Sequence, residues 1–216
     1  MPMCDTCRTI LDSECFDVAL SRCPRCHLPK LCDTYKCPCE NQDIYYDIFS
    51  IARYDGNLSY ATLRALKIDG NKAISKVLSF YISKAMIHLG CNKNTIVVPV
   101  PCSKARLKKF GWDQMQLVAK HLPYRYENLL VNNINKGQQK KLSKSQRLEE
   151  AKAKFSINKK LLDKLSLDCE QKIVVIDDVT TTMATMKSAI DCLKGQGFNN
   201  VSGITWLYDW LPDKED

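Results

Sequence analysis

Residues 173–185 read IVVIDDVTTTMAT, and the order of residue types in this stretch decides the fold. Ile173, Val174, Val175 and Ile176 are four consecutive β-branched residues, the composition of a parallel strand buried on both faces. Asp177 and Asp178 follow where the chain leaves the sheet. That is the carboxyl end of the strand, where open α/β sheets bind ligands. Thr180, Thr181, Thr182 and Thr185 then surround the start of a helix expected to run to about Gly195, with Met186, Ala189, Ile190 and Leu193 at helical spacing. The first N–H groups of a helix have no intrahelical partner, and the helix dipole favours anions there, so a phosphate fits. Threonine hydroxyls add donors. The acidic pair upstream suits sugar hydroxyls and a hydrated Mg²⁺. Ribose plus phosphate is the ligand this stretch describes. The alternative is a strand end capped by threonines with no ligand, since Asp and Thr are ordinary helix-start residues.

The chain has 216 residues, room for one ordinary domain and a small appendage. It has no run of 18 apolar residues, and its start, MPMCDTC, lacks the apolar core of a secretory signal. A cytoplasmic protein without membrane insertion is expected. Charge is uneven. Residues 103–172 hold 17 Lys and Arg against 7 Asp and Glu, although the formal net charge of the whole chain is only +8. A localised basic field suits polyanions such as pyrophosphate or nucleic acid, or else is a solvated lysine-rich face.

Of the 12 cysteines, eight fall within the first 39 residues: Cys4, Cys7, Cys15, Cys23, Cys26, Cys32, Cys37 and Cys39. In a reducing compartment such a cluster reads as metal ligation. Cys4–Cys7 and Cys23–Cys26 are CxxC pairs whose tight turns let two thiolates reach one Zn²⁺. Cys23, Cys26, Cys37 and Cys39 form a four-thiolate ribbon site. Cys4, Cys7, Cys15 and Cys32 make a second, irregular set: Val18 stands where a cysteine would follow Cys15, so His27 or Cys32 would complete the site, or it is empty. About 40 residues build too small a core to stand alone, so zinc would be structural.

The rest of the chain alternates strands and helices. Strands are expected over 44–54, 95–100, 129–131 and 201–206, and helices over 58–67, 73–89 and 113–122. The loop at 102–111, after Pro99-Val100-Pro101, carries Lys104 and Arg106 and would hold a pyrophosphate. Residues 132–154 are polar and basic and read as a flap or surface loop. The resulting division is a zinc-ribbon module over 1–43, an α/β domain over 44–212 with a parallel sheet flanked by helices, and an acidic tail over 213–216.

Asp177, Asp178, Thr181, Thr182, Ala184 and Thr185 match the phosphoribosyl pyrophosphate signature of type I phosphoribosyltransferases, and Met183 stands where that signature has glycine. The whole chain, from Cys4 to Trp206, resembles the ComF (competence protein F) family, which joins a cysteine-rich segment to a phosphoribosyltransferase-like domain. The landmarks are Tyr54-Asp55-Gly56, Leu66-Lys67-Ile68, Pro99-Val100-Pro101, Gly111 with Gln114, residues 139–143, Arg147 and Phe155. Phe110 replaces an arginine of the family pattern and Glu150 an asparagine. The resemblance implies phosphoribosyl pyrophosphate bound with Mg²⁺, and phosphoribose transfer to an acceptor. Asp177 and Asp178 would hold ribose hydroxyls. The turn formed by Thr180, Thr181, Thr182, Met183, Ala184 and Thr185 would hold the 5-phosphate, and Lys104 and Arg106 the pyrophosphate. It also implies a part in DNA uptake during natural transformation, with competence-machinery proteins as partners. The alternative is a non-catalytic protein that grips single-stranded DNA through the same basic face.

Overall fold

A computed structural model describes residues 3–16, 22–23, 46–133 and 154–209. The first element is helix α1 (Asp5–Glu14), followed by strand β1 (Ile48–Arg53), helix α2 (Asn57–Lys67), a 3₁₀ turn (Lys72–Ile74) and helix α3 (Ser75–His88). Then come β2 (Ile96–Pro99), α4 (Lys104–Phe110), α5 (Gln114–Ala119), β3 (Arg125–Tyr126), β4 (Leu130–Asn132) and β5 (Phe155–Ile157). Helix α6 (Lys159–Leu165), strand β6 (Ile173–Thr180), helix α7 (Ala184–Lys194) and strand β7 (Val201–Tyr208) complete the order.

Five strands make one sheet in the order β1-β7-β6-β2-β3, with every neighbouring pair parallel. The expected parallel α/β sheet flanked by helices is therefore present. From β6 the chain moves to β7 on one side, and from β2 to β3 on the other. The switch in direction falls between β2 and β6, and in open α/β sheets that is where a ligand crevice opens at the carboxyl ends of the strands. Asp177 and Asp178 stand on one wall of that crevice and Pro99-Val100-Pro101 on the other.

Both faces of the sheet are covered. Val97, Val174, Ile176, Ile204 and Trp206 pack with α3 through Val77, Leu78, Tyr81, Ile82 and Met86. Those α3 residues recur at helical spacing and form its apolar stripe. On the other face Val98, Ile173 and Val175 pack with Met186, Ala189, Ile190 and Leu193 of α7. The small β4–β5 pair is antiparallel and separate from the main sheet.

Helix α1 lies inside the expected zinc module yet joins the main core, with Leu11 fully buried beside Leu66, Tyr81 and Trp206. Its last residue, Glu14, accepts the N–H groups of Leu58 (2.9 Å) and Ser59 (2.5 Å), so a carboxylate from one helix caps the start of the next. Gly56 makes room for this contact, because a Cβ there would collide with Ser59 and the Glu14 carboxylate. Glu14→Ala should therefore cost about 1–2 kcal/mol; a thermal melt unchanged from wild type would show that the carboxylate does no capping.

Several expectations need correction. Residues 102–111 are not a loop, because Ser103 caps α4 and Gly111 ends it in the left-handed region at φ 74°. The strand expected from 44 begins at Ile48, and β6 and β7 run further than expected, to Thr180 and Tyr208. Asp177 and Asp178 are thus the fifth and sixth residues of a strand, not residues beyond it. The flap segment 134–153, including Arg147 and Glu150, and the acidic tail 213–216 lie outside the described residues, as do Cys26, Cys32, Cys37 and Cys39. Among the described residues, no helix is long and apolar enough to cross a membrane.

Candidate phosphate and sugar site

Successive side chains of a strand leave opposite faces of the sheet. Asp178 follows Ile176 to the side of α2 and α5, and Asp177 follows Val175 to the side of α7. The acidic pair therefore straddles the end of β6 and does not form a two-pronged clamp on one face. Both residues are buried, at 8% and 6% exposure. Asp177 Oδ1 accepts the backbone N–H of Asp178 at 2.8 Å. Burial foremost, then the neighbouring Asp178 charge, pushes the Asp177 carboxyl up to about 8. At neutral pH this carboxyl keeps its proton and can donate a hydrogen bond as well as accept one.

Asp178 is held from two directions. Its Oδ2 receives Lys67 Nζ at 2.7 Å and Gln114 Nε2 at 3.1 Å. Gln114 Oε1 in turn accepts Arg106 Nε at 2.6 Å, and Arg106 Nη1 donates to the backbone carbonyl of Lys67 at 2.6 Å. These bonds close a ring through α2, α4, α5 and β6. Arg106 also stacks on Phe110, with its guanidinium carbon 4.4 Å from the ring centroid. Arg106 thus ties Gln114 to the Lys67 backbone at the edge of the crevice. Lys104 is exposed on the first turn of α4. Asp113 fixes the inner end of this network: it caps α5 through Met115 N and Gln116 N, and accepts Cys102 N–H at 2.6 Å.

The turn after β6 takes a backbone conformation that glycine, the residue of the signature, adopts without steric cost. Met183 sits at φ 61°, ψ −3°, in the left-handed region where glycine is favoured, and precedes α7 as its cap residue. Met183 makes no side-chain cap, and among the described residues no side chain caps the first turn of α7, whose N–H groups suit a ligand. Thr182 and Ala184 are exposed, Thr181 and Thr185 half-buried. Thr180 is 3% exposed, and its buried hydroxyl has no hydrogen-bond partner among the described residues. Lys154, which the sequence did not single out, enters from the start of β5 and donates from Nζ to Thr185 Oγ1 at 2.5 Å. Burial lowers its pKa, against the pull of Asp177 and Asp178. Lys67, Gln114 and Lys154 are the site residues that sequence reading missed as functional groups.

The acidic pair does not fit Mg²⁺ as a direct ligand set. Its two carboxyls leave opposite faces, Asp178 already carries an ammonium group, and Asp177 is buried and holds its proton. The cysteines are a separate matter. Cys4 caps α1, its Sγ accepting the N–H of Cys7 at 3.4 Å, as suits a pair of thiolate ligands. The Cys7 hydrogen bonds hold the Cys4 thiol below its ordinary value, and Cys4 pushes Cys7 up. Cys15 and Cys23 pack into the two different core clusters. Among the described residues no group of three or more potential ligands is assembled.

No family model matches the chain. It is 25% identical over 203 residues to the competence protein ComFC of Bacillus subtilis (strain 168), covering 90% of this chain and 79% of that protein. Among solved structures it is similar to an adenine phosphoribosyltransferase of Trypanosoma brucei in complex with AMP, pyrophosphate and ribose-5-phosphate. There the TM-score is 0.42 and the identity 12%, over 75% of this chain and 83% of that one. A hypoxanthine phosphoribosyltransferase of Staphylococcus aureus matches with a TM-score of 0.34 and 15% identity, over 66% of this chain and 75% of that one. The chain is therefore similar along most of its length to a competence protein of the ComF type, and its own strand order shows a parallel α/β sheet.

Proposed function

We propose that the crevice between β2 and β6 binds phosphoribosyl pyrophosphate. The observation that carries this reading is the turn from Thr181 to Met183, its last residue left-handed and making no cap to α7, placed beside a buried acidic pair on which Lys67, Gln114 and Lys154 converge. A buried methionine in the left-handed region and a buried, proton-holding carboxyl both cost free energy, and such costs cluster at ligand sites. In this reading the first amides of α7, with Thr181, Thr182 and Thr185, hold the 5-phosphate. Asp177 and the free oxygen of Asp178 face the ribose hydroxyls. Lys67, braced by Arg106 through its carbonyl, neutralises the pyrophosphate, which leaves if phosphoribose is transferred to an acceptor. The cysteine-rich segment is read as a structural zinc module, with Cys4 and Cys7 supplying one thiolate pair.

Helix α4 favours a second ligand. Lys104, Lys108 and Lys109 are all exposed on it, a basic face suited to the phosphates of single-stranded DNA and to a part in DNA uptake.

Calorimetry with phosphoribosyl pyrophosphate on wild type and Ala184→Asp separates these readings. An acidic residue in the first turn of a helix is harmless or mildly stabilising, so the fold should persist. A carboxylate there repels a bound phosphate, and affinity should fall by roughly tenfold or more. Wild type giving no heat with the sugar phosphate, but salt-sensitive binding to single-stranded DNA, would overturn the first reading in favour of the second.

A further inference from the structure

Two ammonium groups occupy the crevice where a phosphoribosyl ligand would otherwise bring a divalent cation. Lys67 Nζ lies 2.7 Å from Asp178 Oδ2. Lys154 Nζ lies 2.5 Å from Thr185 Oγ1, on the first turn of α7, with its ammonium 5.4 Å from the centroid of Phe155. A cation is the wrong charge for a helix N-terminus, where the peptide dipoles already present their positive end. Lys154 is held there by its bond to Thr185 and by the nearby Asp178 charge, at the cost of partial desolvation. Uncapped amides, a hydroxyl and a partly buried ammonium around one point make a strongly positive pocket, and an anion relieves it. Opposite it, Lys67 is 39% exposed, which leaves its ammonium hydrogens beyond Asp178 open to a ligand.

We infer that Lys154 and Lys67 neutralise the phosphorylated sugar themselves, Lys154 at the 5-phosphate and Lys67 at the pyrophosphate, so that this chain binds phosphoribosyl pyrophosphate without a divalent cation. The inference rests on the ligand reading above. It also fits the placement of one carboxyl on each face: with no metal to share, Asp178 pairs with Lys67 on its side, and Asp177 on the other is left to hydrogen-bond the sugar.

The test is calorimetric titration of the full chain with phosphoribosyl pyrophosphate, once in magnesium and once in EDTA. The two dissociation constants are expected to agree within about threefold. Lys154→Gln keeps a side chain able to reach Thr185 but removes the charge, and should weaken binding in EDTA by roughly tenfold or more, with magnesium restoring part of the loss. Lys154→Arg, which keeps the charge, should bind in EDTA more tightly than Lys154→Gln. Binding in magnesium alone would overturn the inference and leave the ligand site standing. Binding in neither condition would remove the ligand reading as well. Wild-type affinity for Lys154→Gln in EDTA would show that Lys154 only braces Thr185, and would equally overturn it.

Discussion

Asp177→Asn is expected to stabilise the protein increasingly as pH rises from about 4 to about 8. Burial and the Asp178 charge raise the Asp177 carboxyl from an ordinary 3.8 to about 8. In that window the unfolded chain has released this proton and the folded one keeps it. A state that binds the extra proton is favoured at low pH, so this residue's contribution is fully present below the ordinary value and is lost as pH climbs towards 8. Above that pH the folded protein carries a buried charge it would be more stable without. The slope for one such group is at most about 1.4 kcal/mol per pH unit, so the variant should gain a few kcal/mol over wild type between pH 5 and 8. Asparagine keeps an oxygen to accept the Asp178 N–H, so geometry is preserved. Thermal melts of both proteins from pH 4.5 to 8.5 read the effect. Parallel curves, or a wild type that becomes more stable relative to the variant as pH rises, would mean that Asp177 is ionised in the folded protein.

The same residue shows what could and could not be read from the chain. The strand was legible because four β-branched residues in a row have few homes outside a buried parallel sheet. The signature glycine marked where a left-handed residue sits, and Met183 adopts that conformation without being glycine. Opposite-face placement of Asp177 and Asp178 follows from period two once the strand is known to continue through them. It was missed because two acidic residues looked like the strand's end. Only the pairing of β6 with β7 as far as Thr180 and Tyr208 carries the strand onward.

Lys154 had no local signal, and Lys67 stood out only as part of the Leu66-Lys67-Ile68 landmark, with no role attached to it. They are ordinary lysines, one at the end of an amphipathic helix and one ahead of a three-residue strand, and only the fold brings them to the acidic pair. Arg106 is the opposite case. Basic residues after a proline-ended strand suggested an anion loop, although Ser103 ahead of a helix-forming run and Gly111 after it were the stronger signals. The helix turns Arg106 towards Gln114 and the Lys67 carbonyl, so its charge organises the crevice from behind. The short strands β3 and β5 lie below the length at which alternation can be recognised.

Met183→Gly is expected to lower stability and raise ligand affinity at once. The left-handed conformation costs a non-glycine residue about 1 kcal/mol, which glycine would recover. The methionine side chain, however, is 1% exposed and packs in the cluster that includes Met186 and Ile190. Removing a buried methionine side chain costs about 2–5 kcal/mol, so packing outweighs strain and the net loss should be about 1–4 kcal/mol. At the same time glycine lets the backbone of the turn approach a phosphate more closely, and affinity for phosphoribosyl pyrophosphate should rise several-fold. A destabilised variant with unchanged affinity would place the phosphate elsewhere. A variant more stable than wild type would show that the Met183 side chain contributes little to the core, and that strain dominates this turn. Opposite movement of stability and affinity is the signature of a turn whose side chain serves the core while its backbone serves the ligand.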